Sequence, residues 1–127
     1  MILDTSFLLD LNDRDPAAFE RGVELHPRTQ RIVLESVAEL QFGVEYTESD
    51  EERRRVENLL SIYPVVVPRE ATARRAGKLR ARAASETDRV VPTVDAIIAA
   101  VADLHDEPVL SANVEDFEAL GVAVETY

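Results

Sequence analysis

PTVDAIIAAVADLHDEPVLS, residues 92–111, places a helix and a strand back to back. Pro92-Thr93 opens the helix, and Val94, Ile97, Ile98, Val101 and Leu104 then follow the 3.6-residue period almost without interruption. Pro108-Val109-Leu110-Ser111 is a short apolar run of the kind a buried strand needs. Working outward, the same two units recur. Asn113 to Leu120 reads as a short helix ended by Gly121, and Val122 to Val124 as a last strand. Upstream, Arg69 to about Ser85 is a long helix with Ala73, Ala76, Leu79 and Ala83 on one face, after a strand bounded by Pro64 and Pro68. Ser49 to Ser61 is a charged amphipathic helix turning Val56, Leu59 and Leu60 inward. Arg31 to Leu34 is another strand, and the helix after it presents Val37, Leu40, Phe42 and Val44. Asp15 to about Leu25 forms a helix with Pro16 at its first position. The chain opens with Met1 to Leu3 as a strand feeding a helix that contains Phe7, Leu8 and Leu11. Short apolar strands alternating with helices imply an α/β fold: a three-layer sandwich with a central parallel sheet covered on both faces. The pattern leaves the order of the strands open.

At 127 residues there is room for one domain, expected to cover 1–127, and 46% hydrophobic residues suffice for its core. With no cysteine, a disulfide framework, a thiolate zinc site and a cysteine nucleophile are excluded, and the two histidines, His26 and His105, lie on separate segments. Chemistry must rest on carboxylates, hydroxyls, amides and arginines. No apolar run is long enough to span a membrane, and no charged leader precedes Met1-Ile2-Leu3, so a cytoplasmic location is expected. The formal net charge is −11, yet 13 of the 14 basic residues are arginine. Such a surface either repels polyanions or is adapted to high salt, where screening shortens to about 3 Å at 1 M. The lysine deficit favours the halophilic reading.

In an open parallel sheet, ligands collect beyond the carboxyl ends of the strands. Three acids fall at the strand-to-helix junctions where such an edge forms: Asp4 after the first strand, Glu39 in the first turn of the helix after the second, and Asp116 in the first turn of the helix after the fourth. Asp95 differs in opening a helix that follows another helix. Each also has a local explanation. Asp4 could cap the first helix, Ser36 and Glu39 match a capping box, Asp95 and Asp116 favour helix dipoles, and Asn113 could cap the helix of Asp116. If the four converge, two carboxylates about 5 Å apart repel by roughly 3 kcal/mol at an effective dielectric of about 20. A divalent cation relieves that repulsion, and oxygen-only ligands select Mg²⁺ or Mn²⁺ over zinc. Such a site hydrolyses phosphodiesters without a side-chain nucleophile. Thr5, Ser6 and Ser111 would then orient the carboxylates from behind.

Three segments, ILDTSFLLDL (2–11), ESVAELQFGVEY (35–46) and VDAIIAAVADLHDEPVLSANVEDFEAL (94–120), together resemble the PIN-domain family, and within it the VapC-like toxins. The resemblance runs over essentially the whole chain. It implies a Rossmann-like PIN fold and an acidic Mg²⁺ or Mn²⁺ site, with the family's acids falling on Asp4, Glu39 and Asp95, and its hydroxyl on Thr5 or Ser6. In the last region Asp116 is the better fourth carboxylate and Asn113 a neutral ligand or water holder, while Ser111 stands where threonine is usual. The implied function is metal-dependent endoribonuclease, as the toxin of a VapBC-like toxin–antitoxin pair, with RNA as substrate, an antitoxin protein as partner, and a homodimeric state. A PIN nuclease of RNA processing, or a catalytically weak PIN binding module retaining Asn113, are the alternatives. A receiver-like phosphoacceptor needs a lysine near the last strands, and the one lysine, Lys78, sits in a mid-chain helix. Arg69, Arg74, Arg75, Lys78, Arg80, Arg82 and Arg89 concentrate half of the positive charge in one segment, either an edge for an RNA backbone or a solvated face. Phe7, Leu8, Leu11, Phe42 and Tyr46 could line a groove for a partner segment, or simply pack the core.

Overall fold

A computed structural model describes residues 1–127. Five strands of two residues each are separated by helices: β1 (Ile2–Leu3), α1 (Thr5–Asn12), α2 (Pro16–Leu25), β2 (Ile32–Val33), α3 (Leu34–Thr47), α4 (Asp50–Ile62), β3 (Val65–Val66), α5 (Glu70–Thr87), α6 (Thr93–His105), β4 (Val109–Leu110), α7 (Val114–Ala119) and β5 (Val124–Glu125). Every pairing is parallel: β1 with β4, β4 with β5, and β2 with β3. A parallel bridge between Ile2 and Arg31 joins the two ladders. There Leu3 N–H donates to Arg31 O (2.9 Å) and Arg31 N–H to Met1 O (3.1 Å). The sheet therefore runs β3-β2-β1-β4-β5.

The pleat explains the three layers. Successive strand residues point to opposite faces, and the core divides accordingly. Ile2, Val33 and Val109 pack with Ala76, Leu79, Ala83, Ile98, Phe117 and Leu120 from α5, α6 and the α7 end. Leu3, Ile32 and Leu110 pack with Phe7, Leu8, Leu25, Leu40, Val44 and Val56 from α1 to α4. With both faces covered, the inner strands β1, β2 and β4 are apolar and buried, as the short runs required. The edge strands β3 and β5 are partly exposed, and β5 lies at Val124–Glu125, not over Val122 to Val124. None of the helices is long and apolar enough to cross a membrane.

Several local expectations shift. The α3 helix begins at Leu34, so Ser36 lies inside it, Val33 is the N-cap without a side-chain bond, and no capping box forms. Glu39 is accordingly in the second turn, not the first. In α5 the buried row is Thr72, Ala76, Leu79 and Ala83, and Ala73 is exposed. In α6 the buried residues are chiefly alanines, Ala96, Ala99, Ala100 and Ala102, with Ile98 and Val101, while Leu104 is 56% exposed. Small side chains let α6 lie close against the alanines of α5. Phe42 and Tyr46 are 68% and 80% exposed and stack on one another at 5.7 Å, so they are not core. Gly121 ends α7 as expected, at φ +77.

Candidate active site

The strand order places the reversal of connectivity between β1 and β4. From β1 the chain moves on to β2 on one side, and from β4 to β5 on the other. A crevice opens at the carboxyl ends of two strands related in this way. Asp4 leaves β1 and Ser111 leaves β4 at that point, and Asp4 N–H donates to Leu110 O at 3.0 Å.

Asp4 is the N-cap of α1 and only 2% exposed. Its Oδ1 accepts from Thr5 N–H at 2.8 Å, and its Oδ2 accepts from Ser6 Oγ at 2.7 Å and Ser111 Oγ at 2.6 Å. A buried carboxylate held by three donors is fixed in orientation. The donors are themselves tied down: Ser111 Oγ accepts from Asn113 N–H at 2.8 Å, and Ser6 Oγ from Ala112 N–H at 3.2 Å. Thr5 faces the other way. Its Oγ1 lies 2.8 Å from Glu39 Oε1 and 2.9 Å from the buried Ser36 Oγ, so one hydroxyl joins α1 to α3. Thr5, Ser6 and Ser111 thus each hydrogen-bond a carboxylate, Thr5 those of Asp4 and Glu39, the two serines that of Asp4.

Asp95 lies in the first turn of α6, half-buried. Its pKa is pushed up to about 7, first by burial and then by the charges of Asp4, Asp116 and Glu39. These are the other three acids singled out from the sequence, and no cation offsets them at Asp95. Asp116, in the first turn of α7, is instead ion-paired: Arg89 Nη1 stands 2.7 Å from its Oδ1, while Arg89 Nη2 meets Glu115 at 2.7 Å. Asn113 occupies the N-cap position of α7, but its side chain makes no capping bond; only its backbone N–H enters the network.

As the side chains stand, no three acids or imidazoles form a ready-made ion-holding group. The donor chemistry nevertheless fits a hard divalent ion. Every candidate ligand is an oxygen, the charged form of Asp95 is disfavoured by burial and by neighbouring carboxylates, and Asp4 is held rigid from behind. Asp4, Asp95, Asp116 and Glu39 are the residues that would hold it.

Two clefts flank the acids. One, of about 370 Å³, is lined by Arg89, Ala112, Asn113, Val114, Glu115 and Asp116. The other, of about 510 Å³, is lined by Leu9, Glu35, Ala38, Glu39, Phe42, Gly43 and Val94. Of the basic segment, Arg74 pairs with Glu70, Arg75 with Asp103, and Arg80 Nε donates to Val91 O. Two contributors escaped the sequence reading. Ser36 stood out there only as a cap, and Arg89 only as one of seven basic residues; neither has a local signal for its distant partner.

The molecule is therefore an α/β protein with an oxygen-only acidic site at the switch point of a parallel sheet. The chain belongs to the PIN-domain family, whose profile matches residues 1–122. No curated protein sequence matches it. Solved structures do. VapBC2 of Rickettsia felis, bound to a promoter DNA fragment, superposes with a TM-score of 0.83 at 18% identity, over 98% of this chain and 96% of that one. DNA-bound VapBC of Salmonella typhimurium gives 0.79 at 26% identity, covering 98% and 96%. VapC20 of Mycobacterium tuberculosis, described as a sarcin–ricin loop cleaving toxin, gives 0.71 at 18% identity, covering 96% and 95%.

Proposed function

We propose that this PIN domain is a divalent-metal-dependent endoribonuclease, and the toxin of a toxin–antitoxin pair. One observation carries the chemistry: Asp95 is half-buried among Asp4, Asp116 and Glu39 without a cation to balance it. Mg²⁺ or Mn²⁺ bound there supplies Lewis-acid compensation for a phosphodiester and makes water more acidic. The chain's own residues do the rest. Ser6 and Ser111 fix Asp4 Oδ2, the Thr5 amide fixes Oδ1, and the Thr5 hydroxyl holds Glu39 toward the same crevice. The chain has no cysteine, and the hydroxyls of Thr5, Ser6 and Ser111 are engaged on Glu39 and Asp4, so water is the nucleophile in this reading.

The toxin role is supported by similarity to VapBC structures, at 26% identity in the Salmonella case, and by a sarcin–ricin loop cleaving toxin among the structural neighbours. An antitoxin protein is the partner in this reading, and the exposed Phe42 and Tyr46 beside the apolar cleft offer it a surface. We further place the protein in the cytoplasm, as one domain and as a homodimer. A catalytically weak binding module is favoured by one feature, the engagement of Asp116 by Arg89. Incubation of structured RNA with the protein and Mn²⁺ tests the proposal. Cleavage that vanishes in chelator and falls at least about 100-fold in Asp4→Asn supports it. Cleavage that persists unchanged in the variant overturns it.

A further inference from the structure

Among the four acids of the crevice, only Asp116 is held by a cation of the chain itself, and the cation comes from a defined place. Arg89 lies six residues before Asp95, on the loop that leads from α5 into α6. That loop is pinned on both sides of it. Arg89 N–H donates to Thr87 Oγ1 at 3.3 Å, and two residues on, the fully buried Val91 accepts from Arg80 Nε at 2.6 Å. The Arg89 side chain then crosses to α7, giving Nη1 to Asp116 and Nη2 to Glu115, each at 2.7 Å. It forms one wall of the 370 Å³ cleft next to the acids. Asp116 is one of the carboxylates that would hold a metal ion, and a cation brought to it meets both the guanidinium's claim on Oδ1 and its positive charge.

We propose that Arg89 is an internal counter-ion of the acidic site, occupying Asp116 until a divalent cation displaces it, and thereafter binding a phosphate of the RNA strand from the same cleft. This rests on the nuclease reading above. Glu115, 81% exposed in its side chain, keeps the displaced guanidinium at the rim without burying it. A planar guanidinium freed from a carboxylate presents the two-pronged donor geometry that phosphate oxygens accept. The same residue thus lowers metal affinity in the empty protein and adds a phosphate contact in the loaded one.

Mn²⁺ titration by calorimetry of the wild type, Arg89→Gln and Arg89→Lys tests the first half independently of activity. In Arg89→Gln the Kd for Mn²⁺ falls about threefold to fivefold, the size of a partly exposed ion pair. Arg89→Lys, which keeps the charge, stays within about twofold of the wild type. For the second half, the slope of log KM for RNA against log salt is shallower by about one in Arg89→Gln. A Kd for Mn²⁺ that is unchanged or higher in Arg89→Gln overturns the counter-ion role, and an unchanged salt slope overturns the phosphate contact. If Mn²⁺ binds none of the three proteins, the nuclease reading itself fails and takes this proposal with it.

Discussion

Replacing Asp95 by asparagine keeps the shape of the side chain and removes a charge that the folded protein holds at a disadvantage. The carboxyl is pushed from 3.8 to about 7 by burial and by Asp4, Asp116 and Glu39. A gap of roughly three pKa units is worth about 4 kcal/mol at full weight. Asp95 is only half-buried, and solvent screening brings the figure to about 2 kcal/mol. Folded Asp95 keeps its proton up to about pH 7, whereas in the unfolded chain it loses it near pH 4. Protonation therefore favours the fold: the wild type loses stability as pH rises through that interval, and Asp95→Asn does not. Unfolding entropy of about 2.1 cal/mol/K per residue converts 2 kcal/mol to roughly 7 °C for a chain of this length. In chelator, at pH 8 and low salt, Asp95→Asn is expected to melt about 7 °C above the wild type by circular dichroism. The difference should shrink as the pH is lowered and be gone near pH 4. A variant that melts at or below the wild-type temperature at pH 8 would show that the four carboxylates do not share one field.

Thr5→Val removes the hydroxyl between Glu39 and Ser36 while keeping volume; we expect a loss of about 1 kcal/mol in stability and a roughly tenfold drop in RNA cleavage, read by melting and by initial rates. Gly121→Ala places a Cβ 3.0 Å from the Arg82 guanidinium at a φ of +77, and should cost about 1–2 kcal/mol, or some 4–7 °C in Tm. Phe42→Ala should leave Tm within about 2 °C, because that ring is mostly solvent-exposed; a drop typical of a core phenylalanine, about 3 kcal/mol or more, would return it to the core. With a net charge of −11, raising KCl from 0.1 to 1 M should raise Tm, as screening removes self-repulsion; a fall in Tm would contradict adaptation to salt.

The layers were legible because four of the five strands are short apolar runs closed by proline or polar residues, with apolar periods in the helices between them. The last strand lies at Val124–Glu125, past most of the Val122–Val124 run. The order of strands was not legible, since β1 pairs with β4 across more than a hundred residues and nothing local marks the partner. Ser36 and Glu39 show how a sound local rule loses to tertiary contact. They have capping-box spacing, but Leu34 already continues the chain into helix, and Thr5 takes both side chains. Apolarity alone also misjudged faces. Leu104 fits the helical period of α6 yet lies outward, and Phe42 falls on the face of α3 opposite Leu40 and Val44, while the alanines of α6 fill the core because α5 packs close. At the site, Asp4, Asp95 and Asp116 could be found by their place at helix starts. Glu39 was found for a reason the structure does not support, as it sits a turn deeper in α3. Arg89 was visible only as one basic residue of seven, because its carboxylate partners lie 26 and 27 residues away.

The central claim is that Asp4, Asp95, Asp116 and Glu39 hold one divalent ion between them. Anomalous scattering from crystals grown with Mn²⁺ tests it most directly. We expect a peak at the carboxyl ends of β1 and β4, about 2.0–2.2 Å from carboxylate oxygens of Asp4 and at least one other of the four, with Asp116 turned away from Arg89. Fully loaded crystals with Mn²⁺ only elsewhere, or with none at all, would contradict the account.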